Sequence, residues 1–419
     1  MSYPNSVRYL YALGNEIKAG AKFDLERMQV LLAALGNPER DGRFVHVAGT
    51  NGKGSTSAMI ANALREAGVT AGLYTSPHLA QPTERIQINR TPITDTEFAK
   101  AFEIVHEKAE ELIRAEILDA HPSYFETVTA MAFLVFRERA EATVLEVGLG
   151  GRLDATNVVM PELCVITPVS YDHEALLGNT LESIAREKAG ILKPGVPVVM
   201  AKQQEQAEEV ILLRAKELGC ALTRAGEVPV ANVSAGRSGS AFTLDGERYV
   251  CGLAGRHQIE NAVTAIVACQ QLSLPARAIQ TGLETVRWPG RLEFVSHEPD
   301  FVLEGAHNPA GAAALAGYIE EFCSSGPVWI VYGAMRDKAI EEVAGRLFPL
   351  AERLILTAPD FSRALRPEAI LQMMPHANAS VAQTVAEAIE IARTAPGEAT
   401  VFFTGSLFLV GEARALLVK

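Results

Sequence analysis

Short apolar runs alternate with helix-patterned stretches along most of the chain. The runs Arg43–Ala48 (RFVHVA), Ala142–Val147 (ATVLEV), Leu163–Thr167 (LCVIT) and Pro197–Met200 (PVVM) are nearly continuous in apolar residues. Strands of that kind are buried on both faces, as in parallel sheets. Between them, Ser55–Ala67, Thr96–Ala115, Glu126–Arg139 and Leu181–Ala189 carry a helical period. The alternation predicts an α/β fold. Val228–Leu253 departs from it, being rich in Val, Thr, Ser and Gly with Asp245-Gly246 between two strand-like runs, which predicts a hairpin. Arg256–Leu272 is helical again, and the pattern breaks at the turn Trp288-Pro289-Gly290-Arg291. Beyond it, strands are expected at Phe301–Glu304, Val328–Tyr332, Arg353–Thr357 and Thr400–Phe403, and helices at Pro309–Phe322, Ala339–Leu347, Val385–Arg393 and Leu407–Leu417. Residues 1–289 thus form one α/β domain with a mainly parallel sheet and a small β element. Residues 290–419 form a smaller, Rossmann-like α/β domain. A cleft between two such domains suits a reaction of two substrates.

Length agrees, since 419 residues exceed one ordinary core. Apolar residues at 48% and charged residues at 21% have the balance of a globular chain. No apolar run reaches the ~18 to 20 residues that cross a bilayer. The N-terminal MSYPNSVRYLYALGNEIK lacks the apolar core of a secretory signal. Both absences predict a cytoplasmic protein without a membrane partner. Five scattered cysteines, Cys164, Cys220, Cys251, Cys269 and Cys323, form no Cys-x-x-Cys pair and fit free thiols in a reducing compartment. A net charge of -12 argues against a nucleic-acid partner, so an anionic substrate would need a local basic site.

The sharpest local signal is VHVAGTNGKGST at 45–56, a strand running into a Gly-rich loop and then a helix. Glycines let backbone N–H groups approach an anion, and a helix N-terminus favours negative charge. Gly49, Thr50, Asn51, Gly52, Lys53, Gly54, Ser55 and Thr56 are the candidate phosphate-binding residues. Lys53 can reach outer phosphates, and Ser55 or Thr56 can support a metal. The loop departs from the common G-x-x-x-x-G-K-[ST] pattern, whose first glycine would fall at Val47.

GTNGKGS resembles the ATP loop of the Mur-ligase superfamily. YTSPHL at 74–79, ERIQIN at 84–89, EVGLGGRLDATN at 146–157, ITPVSYDHEALLGNT at 166–180, IAREKAGILKPG at 184–195, GRHQIENA at 255–262, PGRLE at 289–293, GAHNP at 305–309 and TGSLFLVGEAR at 404–414 resemble the folylpolyglutamate and dihydrofolate synthases. The matches keep their order over nearly the whole chain. The resemblance implies a phosphate-loop ATPase-like N-terminal domain and an ATP-dependent ligase that adds L-glutamate to dihydropteroate or folate through an acyl phosphate.

It also implies roles. Ser76 and Glu146 would hold one magnesium, and His173 would stand near a second. Outside this context His173 would read as a structural or surface histidine. Lys188, otherwise an ordinary solvated lysine, would be carbamylated, so Lys53, Lys188 and His173 are the candidate catalytic residues. Asn261, Arg291, Glu304 and His307 would contact ATP. The family pattern has Asp where this chain has Glu304, one methylene longer, so a ribose contact would shift. Ser123, Phe125, Asp154 and Ala155 are the candidate acceptor-binding residues. Phe125 could equally be core, and Asp154 could equally cap or fix its loop. Asp24-Leu25-Glu26-Arg27-Met28 resembles a further segment near the folate. A monomer is expected.

Two other readings compete. A peptidoglycan-precursor ligase on the same scaffold would need a uridine-nucleotide site and usually an extra N-terminal domain, for which the stretch before Gly49 is too short. A nucleotide-binding ATPase without ligase activity would leave the motifs of the second domain without a role.

Overall fold

A computed structural model describes residues 1–13, 25–336 and 339–418. Asp24 therefore lies outside the described residues. The chain divides into two compact units. The first comprises Met1–Val169, Leu181–Val228 and Asn261–Leu283, and the second Ser170–Thr180, Pro229–Glu260 and Glu284–Lys419.

The first unit holds eight strands: β1 (Arg43–Ala48), β2 (Ala71–Tyr74), β3 (Ile86–Ile88), β4 (Thr91–Pro92), β5 (Ala142–Glu146), β6 (Leu163–Ile166), β7 (Val198–Met200) and β8 (Leu222–Arg224). They form one sheet in the order β4-β3-β2-β5-β1-β6-β7-β8. From β2 to β8 all pairs are parallel; β3 and β4 add an antiparallel edge. Every residue of β2, β5, β6 and β7 is buried, as their continuous apolar character requires. Helix Tyr124–Arg139 is buried around its whole circumference from Tyr124 to Phe136. Its sequence YFETVTAMAFLVF leaves no charged face to expose. Ser123 and Glu126 start it with a reciprocal capping box. Helix Asp95–Arg114 is amphipathic instead, burying Phe98, Phe102, Val105, Ala109 and Leu112 at three- and four-residue spacing.

In the second unit, β9 (Val230–Gly236), β10 (Gly239–Leu244) and β11 (Glu247–Cys251) make an antiparallel sheet. The expected hairpin is β10–β11. Asp245 and Gly246 both take positive φ (51° and 81°), which a two-residue turn of this hand requires. Six further strands, β12 (Glu293–Ser296), β13 (Asp300–Leu303), β14 (Val328–Tyr332), β15 (Arg353–Leu356), β16 (Ala379–Val381) and β17 (Thr400–Thr404), form a second sheet. Their order is β12-β13-β17-β14-β15-β16, parallel except for β12. Its core gathers Val302, Leu315, Ile330, Leu354 and Phe402.

The boundary expected at 289/290 follows chain order. Compactness instead groups residues 170–180, 229–260 and 284–289 with the C-terminal stretch. Side chains bind these segments to it: Arg256 pairs with Glu321, Arg237 with Asp300, and the Tyr318 hydroxyl donates to the Arg237 carbonyl. Among the described residues no helix is long and apolar enough to cross a membrane.

Candidate functional site

The chain leaves β1 at Ala48, turns through residues 49–52 and enters helix Lys53–Glu66. Thr50 and Asn51 donate their N–H groups to the Pro168 carbonyl, just past β6 (2.9 and 3.3 Å). A Cβ at Gly49 would come within 1.8 Å of Thr167 Oγ1, and one at Gly52 within 2.2 Å of Asn261 Oδ1. Gly52 also takes φ +82°, so only glycine meets both demands. The Asn261 amide therefore lies directly against the phosphate loop. Lys53 Nζ donates to the Thr50 carbonyl at 3.2 Å, while Ser55 and Thr56 are buried in the first turns with Gly54 ahead of them.

Two oxygen donors stand beside this loop. Val47 of β1 is in register with Glu146 of β5, and Tyr74 of β2 with Leu145. The carboxyl ends of three adjacent parallel strands thus present the loop, Glu146 and Ser76 together, where such sheets place ligands. The Ser76 N–H donates to Glu146 Oε2 at 3.3 Å. A serine hydroxyl beside a buried carboxylate is a donor set that suits magnesium. Lys188 is 4% exposed, and its Nζ donates to the Gly49 carbonyl at 2.7 Å. The ordinary solvated lysine is thereby excluded.

The helix carrying Lys188 is keyed to the turn 148–154. Arg152 N–H donates to the Glu187 carbonyl (2.8 Å), and Asn157 Nδ2 donates to the carbonyls of Arg152 and Gly190 (2.9 and 3.0 Å). Asp154 holds the turn from within. Its Oδ2 accepts from the N–H groups of Gly148 and Leu149, both at 3.0 Å, and its Oδ1 accepts from Thr156 N–H and Oγ1 (3.0 and 2.5 Å). Asp154 thus fixes its loop. Thr156 Oγ1 in turn accepts from His46 Nε2 at 2.8 Å, since its own proton goes to Asp154. Burial, and then Lys193, push the His46 imidazole down to about 3, so it is neutral at pH 7.

Phe125 belongs to the core, with its ring tilted against Tyr74 (6.0 Å) and its edge where a Cβ on Gly148 would fall, at 2.6 Å. Ser123 acts as helix cap, Ala155 is buried, and Arg27 pairs with Glu126 of the same cap at 3.0 Å. A polar–aromatic cluster that the sequence reading did not single out adjoins Ser76. Arg85 Nε donates to His78 Nδ1 (2.9 Å), and His78 Nε2 faces the Tyr11 hydroxyl (3.2 Å). Because Nδ1 accepts and burial followed by Arg85 pushes the imidazole down to about 3, its proton sits on Nε2. Arg85 also lies over the Tyr124 ring, which stacks on Tyr11. The signal available was ERIQIN itself, an arginine at the start of a buried strand.

The remaining candidates fall in the second unit. His173, at φ 53°, heads the short helix Glu174–Leu177. Asp172, also missed, organises its surroundings. Its Oδ1 accepts from His173 N–H (2.9 Å), and its Oδ2 accepts from Asn308 Nδ2 (3.1 Å) and lies 3.6 Å from His307 Nε2. His307 Nδ1 donates to the Gly305 carbonyl at 2.7 Å. Glu304 ends the approach from β13. Its Oε2 accepts from Leu292 N–H (2.8 Å), and burial raises its carboxyl pKa against the opposing pull of Arg291. Arg291 Nη1 donates to the Gly290 carbonyl at 3.0 Å. The candidates therefore form two sets: the loop, Ser76, Glu146, Lys188 and Asn261 in the first unit, and His173, Arg291, Glu304 and His307 in the second.

The chain matches the Mur ligase middle domain over residues 47–269 and the Mur ligase, glutamate ligase domain over residues 290–407. It is 36% identical over 416 residues to the dihydrofolate synthase/folylpolyglutamate synthase of Bacillus subtilis (strain 168), covering 96% of each chain. Among solved structures it resembles Mycobacterium tuberculosis folylpolyglutamate synthase complexed with ADP and AMPPCP, with a TM-score of 0.91, 29% identity and coverage of 100% and 99%. It also resembles E. coli FolC in complex with DHPP and ADP, with a TM-score of 0.87, 30% identity and coverage of 98% and 97%.

Proposed function

Given that the chain belongs to the dihydrofolate synthase/folylpolyglutamate synthase family of Mur ligases and is an ATP-dependent carbon–nitrogen ligase, we propose that it joins L-glutamate both to dihydropteroate and to reduced folates. The observation that carries the reading is the meeting of the phosphate loop with Ser76 and Glu146 at the ends of β1, β2 and β5. The two activities in the name of the Bacillus relative, and the DHPP held by FolC, support the dual acceptor.

A carboxylate does not accept an amine until one of its oxygens becomes a leaving group. In the proposed sequence the acceptor carboxylate attacks the γ-phosphorus of ATP, forming an acyl phosphate and releasing ADP. The glutamate amine then attacks the acyl carbon, forming the amide and releasing phosphate. With the Thr50 and Asn51 N–H groups held by the Pro168 carbonyl, the N–H groups of residues 52–54 and the first turn of helix Lys53–Glu66 receive the phosphates. Lys53 leaves the Thr50 carbonyl to neutralise the transferring group. Asn261 is the further nucleotide contact proposed for the first unit, and the permanently charged Arg291, with Glu304 and His307, are those proposed for the second.

Ser76 and Glu146 would hold one magnesium, with His173 near a second; bound there, the ions neutralise charge on the phosphoryl oxygens. Lys188 is proposed to be carbamylated. A carbamate keeps one N–H, so the bond to the Gly49 carbonyl is compatible with it. An intact mass raised by one carbon dioxide, lost in Lys188→Ala, tests this. Ser123, Phe125, Asp154 and Ala155 shape the acceptor site through the helix cap and turn that they fix. The protein is proposed to work as a cytoplasmic monomer, with residues 290–419 as the ligase portion.

The test is glutamate incorporation dependent on ATP and magnesium, with dihydropteroate, tetrahydrofolate or no acceptor. Product with both acceptors is expected. Product with only one restricts the substrate, and ATP turnover without product in either overturns the folate assignment.

A further inference from the structure

Helix Asp95–Arg114 places His106 and Glu110 one turn apart, on the same face. The segment leading into Ser123 brings His121 against them. One side-chain donor atom from each of the three lies within 4.8 Å of the others. His106 Nδ1 and His121 Nε2 are 3.2 Å apart. Two nitrogens bound to one tetrahedral zinc, each ~2.0 to 2.1 Å from it, stand ~3.3 Å apart. The imidazole pair is therefore already at the spacing that a shared ion would impose.

The surroundings hold His121 in a ligating form. His121 Nδ1 faces the Pro122 carbonyl at 2.9 Å, and a carbonyl only accepts. The His121 proton thus sits on Nδ1, and its Nε2 lone pair accepts from His106 Nδ1–H, so an ion between the two nitrogens would replace that hydrogen as the His106 proton moves to Nε2. A ligating imidazole held by a backbone carbonyl through its other nitrogen is the usual outer support of zinc sites. The rings are fixed by packing. His106 stacks on Phe102 (5.4 Å, 8°), and Tyr9 lies 4.5 Å from His106 and 5.5 Å from His121. Glu110 acts on the Tyr9 phenol, whose pKa is raised first by burial and then by that carboxylate.

We propose that His106, Glu110 and His121 form a binding site for a zinc-type divalent ion, with the fourth coordination position open to water. The site is separate from Ser76 and Glu146, and its nitrogen donors distinguish it from an all-oxygen magnesium site. An ion there fastens helix Asp95–Arg114 to the segment that enters the Ser123 cap.

The test uses the full chain, without a polyhistidine tag, stripped with chelator and kept in excess magnesium. Zinc is titrated against a competing indicator, and cobalt(II) is followed by its visible absorption. The wild type is expected to take up one zinc equivalent, to melt at a higher temperature with zinc, and to give a tetrahedral cobalt spectrum without thiolate charge-transfer intensity. His121→Gln and His106→Gln should each weaken zinc at least about tenfold. Glu110→Gln keeps both imidazoles and their packing, and should weaken zinc while folding as the wild type does, so it serves if a histidine variant misfolds. No stoichiometric uptake by the wild type, or unchanged affinity in folded variants, overturns the site. Ligase activity plays no part in the readout, so failure here is distinct from failure of the acceptor assignment.

Discussion

Lys53 and Asp154 show how differently two charged residues in one site can act. The Lys53 ammonium donates to the Thr50 carbonyl, three residues away. Lys53→Ala should leave the urea midpoint near that of the wild type and lower kcat by about 10²- to 10³-fold, as expected when one preorganised donor to transition-state charge is lost. Steady-state kinetics with saturating ATP checks this; a variant retaining most of its kcat would remove Lys53 from the mechanism. Asp154 is spent on structure, with both oxygens taken by four loop donors. Asp154→Asn turns an NH2 toward donors that need an acceptor, and should cost about 3 kcal/mol of stability in denaturant titrations. His46 lies behind the same relay. Its folded pKa of about 3 is below the unfolded value, so the unfolded chain protonates first as pH falls. The stability it contributes is complete above pH ~6.5 and is lost toward pH 3, about 2 kcal/mol of it by pH 5. Denaturation of wild type and His46→Gln near pH 7.5 and pH 5 should show the shallower pH dependence in the variant. The sequence made the loop glycines and Glu146 legible because their order along the chain is their arrangement in space. It did not single out Asp172, whose partners His307 and Asn308 lie more than 130 positions away and meet it only through the fold.

At the scale of elements, what the sequence showed depended on burial. β1, β5, β6, β14 and β17 are buried on both faces and appear as apolar runs. β9 was hidden, because most of its residues, in VANVSAG, are exposed and the strand shows no alternation. β12 and β16 are half-buried edge strands of four and three residues, too short for a period to emerge. Helix Tyr124–Arg139 was legible in extent, and Ser123, a candidate acceptor-binding residue, is also its cap. Ser123 Oγ accepts from Glu126 N–H, and the Glu126 carboxylate accepts from Ser123 N–H. Ser123→Ala should cost about 1 kcal/mol by loss of the cap. If Ser123 acts on the acceptor only through the helix it starts, KM for the acceptor should rise in Ser123→Ala and recover in Ser123→Asp, which caps equally well. A KM that Ser123→Asp fails to restore would mark direct contact by the hydroxyl.

At the scale of the whole chain, the linear boundary and the compact one make different demands on a fragment. The glutamate ligase domain match begins at residue 290, where the turn Trp288-Pro289-Gly290 interrupts the pattern. Yet the unit to which residues 290–419 belong also contains 170–180 and 229–260. In a fragment spanning 290–419, Glu321 loses Arg256, Asp300 loses Arg237, and the buried Asn308 amide loses Asp172. The Tyr318 hydroxyl, on a ring that packs against Phe402 in the core, loses its acceptor at Arg237. The paired charges at the surface matter little one by one. A buried hydroxyl left without a partner matters more. The fragment should therefore unfold at a lower urea concentration than the second unit does in the intact chain, with a broadened transition by circular dichroism. Adding residues 229–289 ahead of it should restore a sharp transition, because that stretch returns Arg237, Arg256 and the whole of β9–β11. Equal sharpness and midpoint in the two fragments would place the physical boundary at 289/290, where chain order alone puts it.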